Sequence, residues 1–222
     1  MPEQNATYIS SSLLAIHSII TRGIKVSIES AEEFSRRSFP STKGREGFIN
    51  YVRAFASVVN SHHLTEDELA FPYFKDKLPE APFELLSSQH KQMVPILGEI
   101  KSAADLCQEE GEVEMGLLNL GGALTRIDQI WQPHIKVEEN AIVSKVDTLL
   151  PAEEQLRLVK LWSEHSAKHS DPPYLTIPFM LYNLPLEVRQ VFGAGMPAEV
   201  TQNLVPVVWK EKWESMIPFL LQ

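Results

Sequence analysis

Cysteine is almost missing. The 222 residues hold one, Cys107, so no internal disulfide can form and a disulfide-stapled scaffold is excluded. The lone thiol reads as a small core residue late in a helix, and its solitude favours a reducing compartment. No apolar run reaches the roughly 20 residues of a membrane-spanning helix. The opening MPEQNATYISSS lacks the basic-then-apolar order of a secretory leader. The expectation is a soluble protein with no membrane partner, cytoplasmic by default. Positive charge is also scarce: 20 Lys and Arg stand against 29 Asp and Glu, for a net −9. Nucleic acid and anionic membrane surfaces both select clustered cations, so neither is an expected partner. Catalytic signatures are missing too. There is no H-E-x-x-H, no phosphate-binding Gly-rich loop and no G-x-S-x-G. E-x-x-H does not occur, which disfavours the ferritin-like di-iron layout.

What is present is helical periodicity. Four segments place apolar residues at steps of three and four. They are Ser10 to Ile24, Phe48 to Leu69, Phe83 to Ala104 and Leu117 to Ala141. Punctuation separates them: Phe39-Pro40-Ser41, then Leu78-Pro79-Glu80-Ala81-Pro82, then Gly111, and Pro151 closes the fourth. Four long helices with short connections predict an all-α fold, an up-down four-helix bundle. Residues 1–150 form that bundle in this reading. Residues 151–222 form a C-terminal extension, mostly helical and rich in aromatics, that packs on it.

The seams contain six residues foreign to an apolar core: His17, His62, Glu66, His90, His134 and Glu138. A buried, unpaired carboxylate costs several kcal/mol or is neutralised, so two of them beside four imidazoles call for a counter-charge. His62 and Glu66 are four apart, as are His134 and Glu138, which puts each pair on one helix face about 6 Å apart. His17 and His90 both fall in the third turn of their helices, while the other two helices carry their residues late. An antiparallel bundle brings these four levels together. A lone seam histidine is more often a hydrogen-bonded core residue. Two matched pairs at one depth on four helices point instead to a metal cluster.

HHLTEDELAFPYF, from His62, and HIKVEENAIV, from His134, resemble the second- and fourth-helix motifs of the hemerythrin-like family, also called HHE cation-binding domains. The resemblance covers roughly residues 7–150. It implies a non-haem di-iron centre, oxo- or hydroxo-bridged, with Mn or Zn as substitutes. The implied metal ligands are His17, His62, Glu66, His90, His134 and Glu138, the carboxylates serving as bridges. One position departs from the pattern. Oxygen-carrying members place a second histidine four residues after the third-helix ligand, where this chain has Val94. That leaves coordination open to water, a substrate or a further ligand.

His63 is the candidate for that further ligand. It lies one residue off the seam, about 100° around the helix, and the other reading is a supporting or solvent-facing residue. Asp67, Glu68 and Glu139 read as solvated or supporting groups. Pro72 is expected to end or kink the second helix, and Pro95 to kink the third. His165 and His169 are also four apart, but no matched carboxylate follows them. They read as histidines favourably placed at a helix C-terminus rather than as a second metal site. Two functions follow from the resemblance. One is an O2-activating di-iron enzyme oxidising a small organic substrate, with the extension either as a roof lined by Tyr174, Phe179 or Tyr182 or, in its other reading, as further core or a dimer interface. The other is an O2- or NO-binding sensor, scavenger or iron-binding protein without turnover. Val94 and the long extension favour the first.

Overall fold

A computed structural model describes residues 8–221. The third-turn placing of His17 counts a first helix from about Thr7, which lies outside the described residues. The described chain is helical, with no strand among the described residues. Four long helices form the bundle: α1 (Ile9–Arg37), α2 (Thr42–Thr65), α4 (Phe83–Leu106) and α5 (Val113–Glu138). Contacts link α1 with α2, α2 with α4, α4 with α5, and α5 with α1, which closes a square. Local chemistry sets the ends. Arg36 and Arg37 sit in the last turn of α1, where they complement the helix dipole. The Ser41 hydroxyl accepts from the Gly44 amide and caps α2. Gly111 turns the chain between α4 and α5 at φ 91°, a conformation costly for any residue with a Cβ.

Pro72 does not end the second helix. A π turn, Glu66–Ala70, leads directly into α3 (Phe71–Phe74). The wide turn absorbs the ring, which in regular α geometry would clash with the Glu68 carbonyl and leave it without a donor. Pro95 likewise lies inside an unbroken α4. It sits on the exposed face with Lys91, the residue whose carbonyl loses its amide partner, so water can satisfy that group. After α5 a second π turn, Glu139–Val143, leads into α6 (Ser144–Leu149).

The extension supplies α7 (Ala152–His169), α8 (Pro173–Tyr182), α9 (Leu186–Ala194), a π segment (Val200–Val208), α10 (Lys210–Trp213) and a 3-10 turn (Glu214–Phe219). Most of it packs on α2, which touches α7, α8 and the 3-10 turn. This explains why α2 is buried nearly all round, from Phe48 through Phe55 and Val58 to His63. Gly47 permits the closest approach, because a Cβ there would overlap the backbone carbonyl of Ser215. Polar ties fix the docking. Arg22 donates to the Phe219 carbonyl (2.9 Å) and to Asn183, while the Tyr51 hydroxyl donates to Asn183 (2.8 Å).

The core divides in two. One apolar cluster holds Ile20, Val59, Met93, Ile127 and Trp131; the other holds Ile9, Ala70, Phe71, Leu86 and Ile142. Between them, on all four long helices at one level, lies a layer of buried polar side chains.

Candidate metal centre

The layer contains His17, His62, His63, Glu66, His90, His134 and Glu138, all buried. All six residues singled out by the seams meet there, and so does His63. Their donor atoms fall into two groups close enough to hold an ion each: His63, His90 and His134; and His17, His62, Glu66 and Glu138. The carboxylates reach towards both. Glu66 Oε1 lies 3.4 Å from His62 Nε2 and its Oε2 lies 3.4 Å from His90 Nε2. Glu138 Oε2 lies 3.1 Å from His17 Nε2 and 3.7 Å from His134 Nε2.

His63 is neither at the surface nor behind the others. Its ring stacks on that of His90 with centroids 4.0 Å apart, and neither of its nitrogens has a hydrogen-bond partner among the described residues. The 3-4 count could not place it, because α2 is enclosed on more than one side.

The residues around the layer decide where protons sit. His134 Nδ1 lies 3.0 Å from Gln89 Oε1, which only accepts, so Nδ1 carries the proton and Nε2 a lone pair. Asp67 Oδ2 lies 3.1 Å from His90 Nδ1, off the line of a hydrogen bond, and its charge favours the proton of His90 on that side of the ring. With the proton on Nδ1 in both rings, the two Nε2 atoms, 3.1 Å apart, would meet lone pair towards lone pair. A cation between them turns that repulsion into attraction. Two nitrogens bound at about 2.1 Å and roughly a right angle to one ion are separated by close to this distance. Glu139 Oε1 holds His17 Nδ1 in the same way at 2.9 Å, which aims His17 Nε2 at Glu138. Asp67 is thus a positioning group rather than part of the solvated face, and Glu139 matches its role. Gln89 was not foreseen. Its position beside His90 is the one signal the sequence carries for it.

Electrostatics without a bound ion are strained. Burial pushes the Glu66 carboxyl well above the usual carboxylate range, and the Glu138 charge adds to the shift. Burial acts the same way on Glu138, but His17 and then His62 outweigh it and hold that carboxyl far below its ordinary value. Burial also disfavours charge on His17, yet Glu138 and Glu139 overcome it and push the imidazole up to about 9. Burial lowers His62 and His63 well below the imidazole range and His134 to about 4, with neighbouring imidazoles adding to each. Neutral imidazoles are the form that binds a metal. Neither Glu66 nor Glu138 has a hydrogen-bond partner for either carboxylate oxygen among the described residues. Donor type, separation and this lack of partners all fit a cation site.

A model of the hemerythrin HHE cation-binding domain matches residues 9–146. The chain belongs to that family. No curated protein and no solved structure matches it. The matched span contains every residue of the buried layer and most of the bundle, and it stops short of the extension. Cation binding is therefore the family's contribution, seated in clusters of buried His and Glu able to hold a metal. No helix among the described residues is long and apolar enough to cross a membrane.

Aromatic walls keep water from this hemerythrin-family layer. Trp131 touches His17, His62, His63 and His134 with ring centroids 5.6 to 6.1 Å away, and its indole N–H donates to Thr21. Phe71 stacks on His90 from the other side. The extension does not roof the layer with Tyr174, Phe179 and Tyr182. Phe179 packs on Tyr51 and Tyr182 stacks on Trp213, while the Tyr174 ring lies beneath the Lys212 ammonium. All three serve the docking of the extension. The groove that reaches the layer is lined instead by α1 and the α5 region: Leu14, His17, Ser18, Thr21, Arg22, Lys25, Ile135 and Glu139.

Proposed function

We propose that the buried layer holds two iron ions and that the protein uses them to bind O2 or NO. The observation that carries this reading is the reach of the carboxylates, since Glu66 and Glu138 each extend towards both donor groups. In this assignment His63, His90 and His134 would hold one ion and His17 and His62 the other, with Glu66 and Glu138 within reach of both. Mixed imidazole and carboxylate donors suit iron, with Mn or Zn as substitutes. Ferrous iron held by these residues would supply affinity for a diatomic ligand and electrons for it. The chain's own work is to hold imidazole protons outward through Asp67, Gln89 and Glu139. Trp131 and Phe71 exclude water, and the α1 groove admits a small ligand.

Val94, in place of a third-helix histidine, is exposed rather than part of the buried layer. His63 offers an imidazole from α2 instead, which supports binding over turnover. A second reading, oxidation of a small organic molecule, draws on the groove itself. Its volume is about 390 Å³, within the range of small-molecule pockets.

Anaerobic reconstitution followed by elemental analysis tests the proposal. The expected content is two irons per chain, with a near-ultraviolet charge-transfer band that grows on exposure to O2. One iron or none would overturn the two-ion reading. Oxygen consumption that continues beyond the iron present, with an added organic compound consumed alongside, would favour turnover.

A further inference from the structure

We propose a second, separate metal site on the surface, formed by Glu68, His165 and His169, that takes a first-row divalent cation such as Zn2+ and fastens α7 to the bundle. Their donor atoms lie within 4.8 Å of one another. His165 and His169 are one turn apart near the end of α7, with ring centroids 4.7 Å apart. Glu68 comes from the π turn after α2, and its Oε2 lies 2.9 Å from His165 Nε2. Two imidazoles one helical turn apart with a carboxylate from another element form a three-donor set. Zn2+ commonly holds three protein donors and leaves a fourth position to water.

A hydrogen-bond relay prepares His165 for this role. Thr65 Oγ1 donates its only proton to the Ser61 carbonyl at 2.8 Å. It can therefore only accept from His165 Nδ1, 3.1 Å away. In the neutral ring the proton is thus on Nδ1, and the Nε2 lone pair points at Glu68. Histidines that bind metals are commonly oriented in this way by a partner on the other nitrogen. His165 is largely buried while Glu68 stays half exposed, so an ion from solvent can reach the site.

The site lies where the family's bundle meets the extension. Glu66, Asp67 and Glu68 are consecutive on one turn, and they face the buried layer, His90 and α7 respectively. An ion at Glu68 would pin the turn that also carries Glu66. No sequence count finds this set, because 97 residues separate Glu68 from His165.

The test is calorimetric titration of the iron-loaded, full-length protein with Zn2+, with iron release monitored. The expected result is one Zn2+ per chain without loss of iron, and slower amide exchange along α7. His169→Ala and Glu68→Gln should each weaken that binding at least about tenfold, and Thr65→Val about tenfold, with iron content unchanged. Equal Zn2+ uptake by the wild type and both ligand variants would overturn the site. So would no uptake by the wild type, which would leave Glu68 and His165 as a simple ion pair. If the buried layer held no iron, Zn2+ entering it would do so equally in all the proteins. The difference of one ion between wild type and His169→Ala therefore reports on the surface site alone.

Discussion

His62 on α2 and Glu66 just past its end are followed by Asp67, which reaches across to His90 on α4. His134 and Glu138 on α5 are followed by Glu139, which reaches across to His17 on α1. Each run enters a π turn, the first at Glu66 (Glu66–Ala70) and the second at Glu139 (Glu139–Val143). The wiring is the same in the two halves of the bundle, but the surroundings differ. The α2 half lies beneath the extension, and its one extra imidazole, His63, is sealed inside. The corresponding residue in the α5 half is Ile135, which lines the open groove beside His17. The contrast teaches that the extension covers one side of the layer and leaves ligand entry to the other. The charge states diverge as well. Glu66 is driven towards its protonated form, whereas Glu138 stays ionised against His17.

The largest expected effect separates the two carboxylates. In the metal-free protein Glu138→Gln removes the counter-charge of buried His17 and should cost about 3 kcal/mol. Glu66→Gln replaces an acid that is already driven towards protonation and should be close to neutral. Urea denaturation of the two variants checks this, and equal losses would erase the asymmetry. Next comes the covering of α2. Gly47→Ala forces a Cβ against the Ser215 carbonyl and should destabilise by about 1–3 kcal/mol, as overpacking does. Faster proteolysis of the extension should accompany it, while groove-side hydrogen exchange stays as it was. Thermal unfolding that matches the wild type would show that the contact is not tight.

A smaller effect probes the matched wiring. Asp67→Asn and Glu139→Gln should each weaken iron binding by about 10–100-fold, and by similar factors, in chelator-competition measurements. A loss confined to one variant would break the equivalence. The smallest effect is on pH. His62, His63 and His134 take up protons far more readily unfolded than folded. Their contribution is intact above the ordinary imidazole range near 6.5 and is lost as pH falls below it. Glu66 and His17 work in the opposite direction but are two groups against three. The denaturation midpoint of the metal-free protein should therefore be lower at pH 5 than at pH 7. A midpoint that rises on acidification would contradict the sign.

The four helices and the six seam residues were legible because a 3-4 period and a four-residue spacing are local properties of a helix. His17, His62, Glu66, His90, His134 and Glu138 all lie in the layer that the count assigned to them. His63 escaped the count, which assumes one buried face per helix, whereas α2 is covered on several sides. Pro72 does not end the helix, one of the two outcomes expected of it, because a π turn that the sequence does not reveal absorbs it. Tyr174, Phe179 and Tyr182 were placed near the metals on aromatic character alone, yet that character serves the docking of the extension.

Helix periodicity, the depth of the polar residues and the scarcity of cysteine and positive charge follow from the amino-acid order, since each depends on neighbours within a few residues. Tertiary structure alone decided which nitrogens face each other, which half the extension covers and where the groove opens. It also decided that Glu68 meets His165, 97 positions further along the chain, and with it His169. Those outcomes depend on which faces pack together, and packing is set by the summed burial of segments far apart in the chain.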